Sequence, residues 1–338
     1  MQIRPRSTRG EQAPPGKVVT VLVIVAPGQG AQSPGFLAPW LEDAGFADRL
    51  THLAEVAELD LVHYGTEADA DTIRDTQVAQ PLLVATALAT LGVLLPDGLG
   101  GVGAVSGHSV GELAAAAASG AVSADDAMVL VRERGRAMAE AAAVTPTGMT
   151  AVLGGDRDQV RATLERHGLT PANDNGPGQV VAAGTLEQLA ALAEDPPEKA
   201  RLAPLSVAGA FHTHHMSPAV ARLTELAAER QTAPATTAVI SNKDGQVVRD
   251  GREVLDRIVG QIASPVRWDL CMETMLGLGV TGMLELPPAG TLTGIARRAM
   301  KGVETFALKT PDQLDDAREF IARHGTVGSA GPDTEGGL

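Results

Sequence analysis

Apolar positions along the chain fall into blocks whose period changes from one block to the next. "VVTVLVIVA" (18–26) is an unbroken β-branched run with the length and composition of a buried parallel strand, and it stops at the Pro/Gly loop "PGQGAQSPG" (27–35). A mostly helical stretch follows to about residue 95, in which "VAQPLLVATALATLGVLL" (78–95) is the clearest apolar helix. Next comes a short small-residue strand at 102–106, a turn over Gly107–Gly111 and an alanine-rich helix over 110–119, with Gly120 placed as its C-terminal stop. The stretch from Ser123 reads as another helix, with Ser123 as N-cap and positions 127, 130, 131, 137, 138 and 141 as its apolar face.

The rhythm then shortens. "GMTAVLGG" reads as strand, "DRDQVRATLERHG" as helix, "LTPANDN" and "GQVVAAG" as two strands, "TLEQLAALAED" as helix and "KARLAPLSVA" as strand. That βαββαβ order is the split pattern of a ferredoxin-like unit. It interrupts an α/β chain that resumes at 209 with the strands "TTAVISN" and "TGMLELPP" and the helix "TLTGIARRAM", so it is expected to be an inserted subdomain.

Composition narrows the class. With 338 residues, 44% of them hydrophobic, the chain can bury a sizeable core. No apolar run approaches the roughly 18 residues needed to cross a bilayer, and no apolar segment precedes residue 18, so the sequence predicts a soluble, cytoplasmic protein with no membrane association and no secretory signal. A lone cysteine, Cys271, excludes an intrachain disulfide and fits that compartment. Twenty-seven basic against 41 acidic side chains give a net charge of −14, which argues against nucleic acid as a partner. Any acidic partner would need a local basic patch.

The chemistry concentrates at "GHSVG". A serine on a strand-to-helix elbow is exposed for attack, glycines on either side let the backbone turn, and the N–H of Val110 faces a developing oxyanion. Such a serine needs a base. His52, His63, His167 and His324 fall in polar helical or tail stretches and read as solvated or capping histidines, and His108, beside Ser109, reads as a pocket wall. That leaves "GAFHTHHM" (209–216). On one helix His212, His214 and His215 would not converge on one ion, and no carboxylate or thiol lies nearby, so no metal site is expected. His212, ahead of a helix start, is the candidate base. Arg134 is a second anomaly: it sits on the apolar face of its helix among Leu130, Val131, Ala137 and Met138. It must snorkel out, pair with a distant acid, or offer its two parallel donors to a substrate carboxylate.

Taken in order, "PGQGAQ", "GHSVGE", "RERGRAMAEA", "NDNGPGQVVAAG", "GAFHTHHM", "SNKDG", "IVGQIASPVRW" and "PPAGTLTGIARR" resemble the motif series of malonyl-CoA:acyl carrier protein transacylases, from about residue 19 to 322. The wording is similar to the stand-alone enzymes of actinobacterial fatty-acid synthesis, with polyketide synthase acyltransferase domains as close relatives. The resemblance implies an α/β-hydrolase-like large subdomain (19–145 and 209–322) carrying a ferredoxin-like small subdomain (146–208), between tails at 1–18 and 323–338. It implies Ser109 as nucleophile, His212 as base, Arg134 as clamp on the malonyl carboxylate, and backbone oxyanion donors at Gln29 and Val110. The Gln261 carbonyl would orient the histidine, and Gln80, His108 and Asn175 match pocket-lining positions. It further implies a monomer with no bound cofactor, taking malonyl-CoA as donor and an acidic, transiently docked holo acyl carrier protein as acceptor.

Phe211, directly before the base, is either ordinary core or a gauge of the acyl α-carbon; "AFH" resembles malonyl-selective members. Arg297, Arg298 and Lys301 are candidates for the basic patch, or plain solvated charges. Two rival readings remain: a serine thioesterase or esterase using an aspartate among Asp125, Asp126, Asp156, Asp158, Asp174 and Asp195, and a noncatalytic synthase component. A buried thiol is expected at Cys271.

Overall fold

A computed structural model describes residues 21–325. In chain order these form strand β1 (Leu22–Ala26), helices α1 (Ala44–Ala57), α2 (Leu61–Thr66) and α3 (Thr76–Leu94), strand β2 (Ala104–Gly107), and helices α4 (Gly111–Ala118) and α5 (Ala124–Ala142). The middle segment gives β3 (Thr147–Gly154), α6 (Arg157–Arg166), β4 (Thr170–Asp174), β5 (Gln179–Thr185), α7 (Leu186–Glu194) and β6 (Ala200–Pro204). The chain ends with α8 (Ser217–Ala228), β7 (Ala238–Ile240), β8 (Val247–Val248), α9 (Gly251–Gln261), β9 (Val266–Arg267), α10 (Trp268–Gly277), β10 (Gly282–Glu285), α11 (Thr291–Ala299), β11 (Glu304–Ala307) and α12 (Leu314–His324).

The fold is α/β with two subdomains. The larger sheet runs β11-β10-β1-β2-β7-β8 and is parallel except at the β8 edge. Every residue of β1 is buried, as a central strand with helices on both faces requires. β2 pairs with β1 so that Gly107 lies opposite Ala26, which sets the turn after Gly107 at the carboxyl end of two central strands. Open parallel sheets bind ligands at this end.

The smaller sheet has the order β6-β3-β5-β4, antiparallel throughout, with β9 added beside β4 in parallel. Alternation along its strands separates two faces. Val152, Val180 and Ala182 pack with Val160, Leu164 and Leu192 from α6 and α7. Met149, Ala151, Val181 and Ala183 face the other way and join the core of the larger subdomain.

Three expectations need correction. Helix α3 is 19 residues long with a mean hydropathy of 1.6, long and apolar enough by length and composition to cross a membrane, contrary to the sequence reading; 78% of that stretch is buried within the protein, so it serves as a core helix. The C-terminal tail does not begin at 323, because α12 continues through Arg323 and His324. His324 is not solvated either: it is buried, with Nδ1 3.0 Å from Thr281 Oγ1 and Nε2 3.1 Å from Glu304 Oε2. The N-terminal tail assigned to 1–18, the first residues of the expected strand 18–26 and most of the C-terminal tail lie outside the described residues.

Candidate active site

Ser109 occupies the turn between β2 and α4 with a φ of 53°, a left-handed conformation that strains a residue with a side chain. The surrounding packing holds it there. A Cβ on Gly107 would fall 2.0 Å from the carbonyl carbon of Gly111, and one on Gly111 would fall 2.3 Å from the Ala26 oxygen, so the start of α4 can pack this closely on the ends of β2 and β1 only with glycine at both places. Asn242, just past β7, closes the turn from below: its Oδ1 accepts from the Ser109 N–H at 2.8 Å and its Nδ2 donates to the Gly107 carbonyl at 2.8 Å. Val110 immediately precedes α4, where N–H groups have no intrahelical partner.

His212 also has a positive φ, 61°, in a turn fastened by Thr213 Oγ1 donating to the Ala210 carbonyl at 2.7 Å and by Ala210 N donating to Thr147 Oγ1 at 3.0 Å. Its Nε2 lies 2.7 Å from Ser109 Oγ and its Nδ1 lies 2.8 Å from the Gln261 carbonyl. A carbonyl only accepts, so Nδ1 carries the hydrogen and Nε2 presents a lone pair to the serine. Burial, then the neighbouring Arg134 charge, push the imidazole pKa down from 6.5 to about 3, against the pull of the Gln261 carbonyl. The ring is therefore neutral near pH 7 and able to take a proton.

Arg134 is buried on α5 beneath the serine. It does not snorkel to solvent, and among the described residues it pairs with no acid: Nη1 donates to Gln80 Oε1 at 2.7 Å, Nη2 to Gln261 Oε1 at 3.0 Å, and Nη2 lies 3.4 Å from Ser109 Oγ. Its Nε is buried with no hydrogen-bond partner among the described residues. Burial lowers its pKa to about 10 against the opposing charge of Glu112, which leaves it a cation.

A cleft of about 250 Å³ opens above these groups, between the two subdomains. Gln29, Gln80, His108, Ser109, Phe211 and His212 line it from one side, and Met149, Ala151, Asn173, Asn175 and Val181 from the other. His108 spans the gap, with Nε2 2.9 Å from Asn175 Oδ1 and its ring edge-on to Trp268 at 5.7 Å. The Gln29 side chain donates to the Arg74 carbonyl at 3.2 Å. Arg134, Gln261 and Val110 sit under the floor rather than on the wall. Of the basic candidates, Arg298 reaches the cleft residue Gln179 at 3.1 Å, while Arg297 bonds Thr305 and Lys301 bonds the Arg297 carbonyl. His214 and His215 form a 3-10 turn with ring centroids 4.1 Å apart, and among the described residues no cluster of three His, Cys, Asp or Glu could hold a metal ion.

Two residues of the network were not singled out in the sequence. Asn242 lies in "SNKDG" and Glu112 ends "GHSVGE". Glu112 Oε1 accepts from the Asn242 N–H at 2.7 Å and its Oε2 accepts from Gln261 Nε2. Burial pushes its carboxyl from 4.5 up to about 7, against its hydrogen-bond donors and Arg134. The signal available was its position three residues after the serine on a helix that buries its first two turns.

Comparisons with known proteins identify the family. Residues 23–333 match the family described as acyl transferase domain. The malonyl CoA-acyl carrier protein transacylase of Mycobacterium tuberculosis is 49% identical over 298 residues, covering 88% of this chain and 99% of that protein. The Escherichia coli protein of the same name is 31% identical over 311 residues, covering 89% and 100%. A crystal structure of MCAT from Mycobacterium tuberculosis superposes with a TM-score of 0.85 at 48% identity, covering 88% and 99%. A type II PKS acyl-carrier protein in complex with its malonyl-transacylase gives 0.83 at 26% identity, covering 89% and 99%.

Proposed function

The chain belongs to the acyl transferase domain family, and on that footing we propose that it moves a malonyl group from malonyl-CoA to the phosphopantetheine thiol of acyl carrier protein through an ester on Ser109. It is an acyltransferase that supplies malonyl extender units for fatty acid synthesis. The observation that carries the scheme is the line of hydrogen bonds from Ser109 Oγ through His212 to the Gln261 carbonyl, with the Arg134 guanidinium beside the same hydroxyl.

In the first half-reaction His212 Nε2 takes the Ser109 proton and Oγ attacks the thioester carbonyl carbon. The N–H groups of Val110 and Gln29 stabilise the resulting oxyanion. Collapse breaks the C–S bond, His212 returns the proton to the CoA sulfur, and a malonyl-serine ester remains. In the second half the pantetheine thiol gives its proton to His212 and its sulfur attacks the ester carbonyl; collapse breaks the bond to Ser109 Oγ, and His212 returns the proton to that oxygen. The kinetics are ping-pong. Arg134 turns from Gln80 and Gln261 to the free malonyl carboxylate, which is too costly to desolvate unpaired. Phe211, beside His212 on the cleft wall, limits room for a methyl branch at the acyl α-carbon.

Every proton and electron pair in this scheme is handled by Ser109, His212 and backbone donors, so it calls for no cofactor, and one chain holds the whole site. Arg298, at the cleft rim on α11, is the basic residue best placed to meet an acidic carrier, with Arg297 and Lys301 behind it. The esterase reading loses ground because the His212 acceptor is a backbone carbonyl, while Asp174, one of the aspartates it would need, is held by Arg157 and Arg161.

Intact-mass measurement after mixing with malonyl-, methylmalonyl- or acetyl-CoA, then with holo carrier protein, tests the scheme. Malonyl-CoA is expected to add one acyl group, absent in Ser109→Ala, which the carrier then removes. Ester that decays at the same rate with and without carrier would mark a hydrolase and overturn the proposal.

A further inference from the structure

Glu112 is a carboxylate buried beside the nucleophile, yet among the described residues it makes no ion pair and the scheme above gives it no step. Burying an acid costs several kcal/mol unless its oxygens are well met. Both are met by donors that belong to the site. Through Oε1 it fixes the Asn242 backbone, whose side chain clamps both sides of the serine turn. Through Oε2 it takes one hydrogen of the Gln261 carboxamide, whose Nε2 also lies 3.1 Å from the Ser109 carbonyl and 3.1 Å from Asn242 Oδ1. Burial leaves Glu112 titrating at about 7, and in its ionised form, with both oxygens accepting as they do here, the carboxylate can only accept. It therefore draws the nitrogen of that amide toward itself and leaves Oε1 facing Arg134, a group that can only donate. One carboxamide thus joins a buried anion to a buried cation, while the same residue's backbone carbonyl holds His212.

The charged and titratable neighbours of Glu112 are few. Arg134 faces it from α5 and the Cys271 thiol from α10, and the thiol is itself held protonated by burial and by the Glu112 charge. Arg134 is the cation whose charge favours its ionised form.

We propose that Glu112 is a positioning residue: through Gln261 its carboxylate orients Arg134 and balances its charge until an acyl carboxylate arrives, and so sets how strongly the enzyme prefers a carboxylated acyl group. The inference rests on the malonyl-transfer reading, with Arg134 as the group that meets the malonyl carboxylate.

Glu112→Gln keeps the shape and removes the charge, so its amide can present either a donor or an acceptor to Gln261 and no longer dictates the orientation. The ratio of kcat/KM for malonyl-CoA to that for acetyl-CoA is expected to fall about tenfold or more, led by a rise in the malonyl KM. Equal losses for the two acyl groups would mean a merely structural role and overturn the proposal. Arg134→Ala is measured alongside. If it lowers the ratio while Glu112→Gln does not, this inference alone falls; if it leaves the ratio unchanged, the reading of Arg134 falls and takes the inference with it. Should Glu112→Gln fail to fold, Gln261→Met removes the same carboxamide but keeps the backbone carbonyl for His212. An unchanged ratio in that variant also overturns the proposal.

Discussion

Removing the Arg134 side chain separates recognition of the acyl group from the chemistry performed on it. The guanidinium is 1% exposed and its two Nη atoms donate to the carboxamides of Gln80 and Gln261 at 2.7 and 3.0 Å. When malonyl binds, those donors exchange neutral acceptors for an anion. A hydrogen bond to a charged group contributes about 1.5–3 kcal/mol, so two of them bring about 3–6 kcal/mol to bear on malonyl alone. At 1.4 kcal/mol per decade, Arg134→Ala is expected to lower malonyl kcat/KM by roughly 10²–10⁴. Acetyl has no carboxylate to lose. The alanine also leaves a void among Leu113, Leu130, Leu255 and Ile258, which costs about 2–5 kcal/mol of fold stability. That cost appears in Tm and falls equally on every substrate, so the malonyl-to-acetyl ratio isolates the clamp. Arg134→Lys keeps the charge but loses the two-pronged donor and is expected to fall between the parent and the alanine variant. The assay is single-turnover loading of Ser109 from each CoA ester, read by intact mass. A ratio within about threefold of the parent in Arg134→Ala would refute the argument.

Other substitutions probe separate parts of the site. Folded His212 stays neutral down to about pH 3, whereas the unfolded chain takes up that proton near 6.5, so acid favours unfolding and stability contributed by this group is lost as pH falls through that window. His212→Gln should flatten this part of the Tm against pH curve, and parallel curves would disprove it. Gly111→Ala would put a Cβ 2.3 Å from the Ala26 oxygen and push α4 off β1; loading is expected to drop by about 10²-fold through displacement of Ser109, and near-normal loading would show that the turn yields more easily than its packing implies. Phe211→Ser should admit methylmalonyl, with a shift in the kcat/KM ratio equivalent to about 1–3 kcal/mol; an unchanged ratio would return the ring to the role of ordinary core.

What the sequence revealed follows from the range of each signal. The strands and helices of 147–204 were legible because alternation and helical periodicity are local, and the Ser109 turn because strand, glycines and alanine-rich helix are contiguous. The apolar face of α5 exposed Arg134 by contrast with its neighbours. The links that complete the site cross the chain instead: Glu112 meets residues 242 and 261, and a backbone carbonyl such as that of Gln261 has no residue-type signature at all. A search for an acid behind the histidine would pass over it. Helix α3 was misjudged because buried Thr86 and Thr90 dilute its apolar run on paper, while Thr86 turns its hydroxyl to the Leu82 carbonyl at 2.7 Å. Strand β9 is only two residues long, too short for a period of its own.

That short strand carries a warning for engineering. The βαββαβ segment looks like a cassette that could be exchanged between relatives to change which acyl group is accepted. Its outer strand β4, however, hydrogen-bonds along Val266 and Arg267, and Arg157 and Arg161 within the segment grip Asp174 while Arg157 and Arg267 share Asp269 outside it. A graft cut at the two chain crossings would strip one edge of the transplanted sheet and leave Asp269 with one guanidinium fewer. The exchangeable unit is the segment together with residues 266–269, and chimaeras that carry both pieces should fold where single-piece grafts do not.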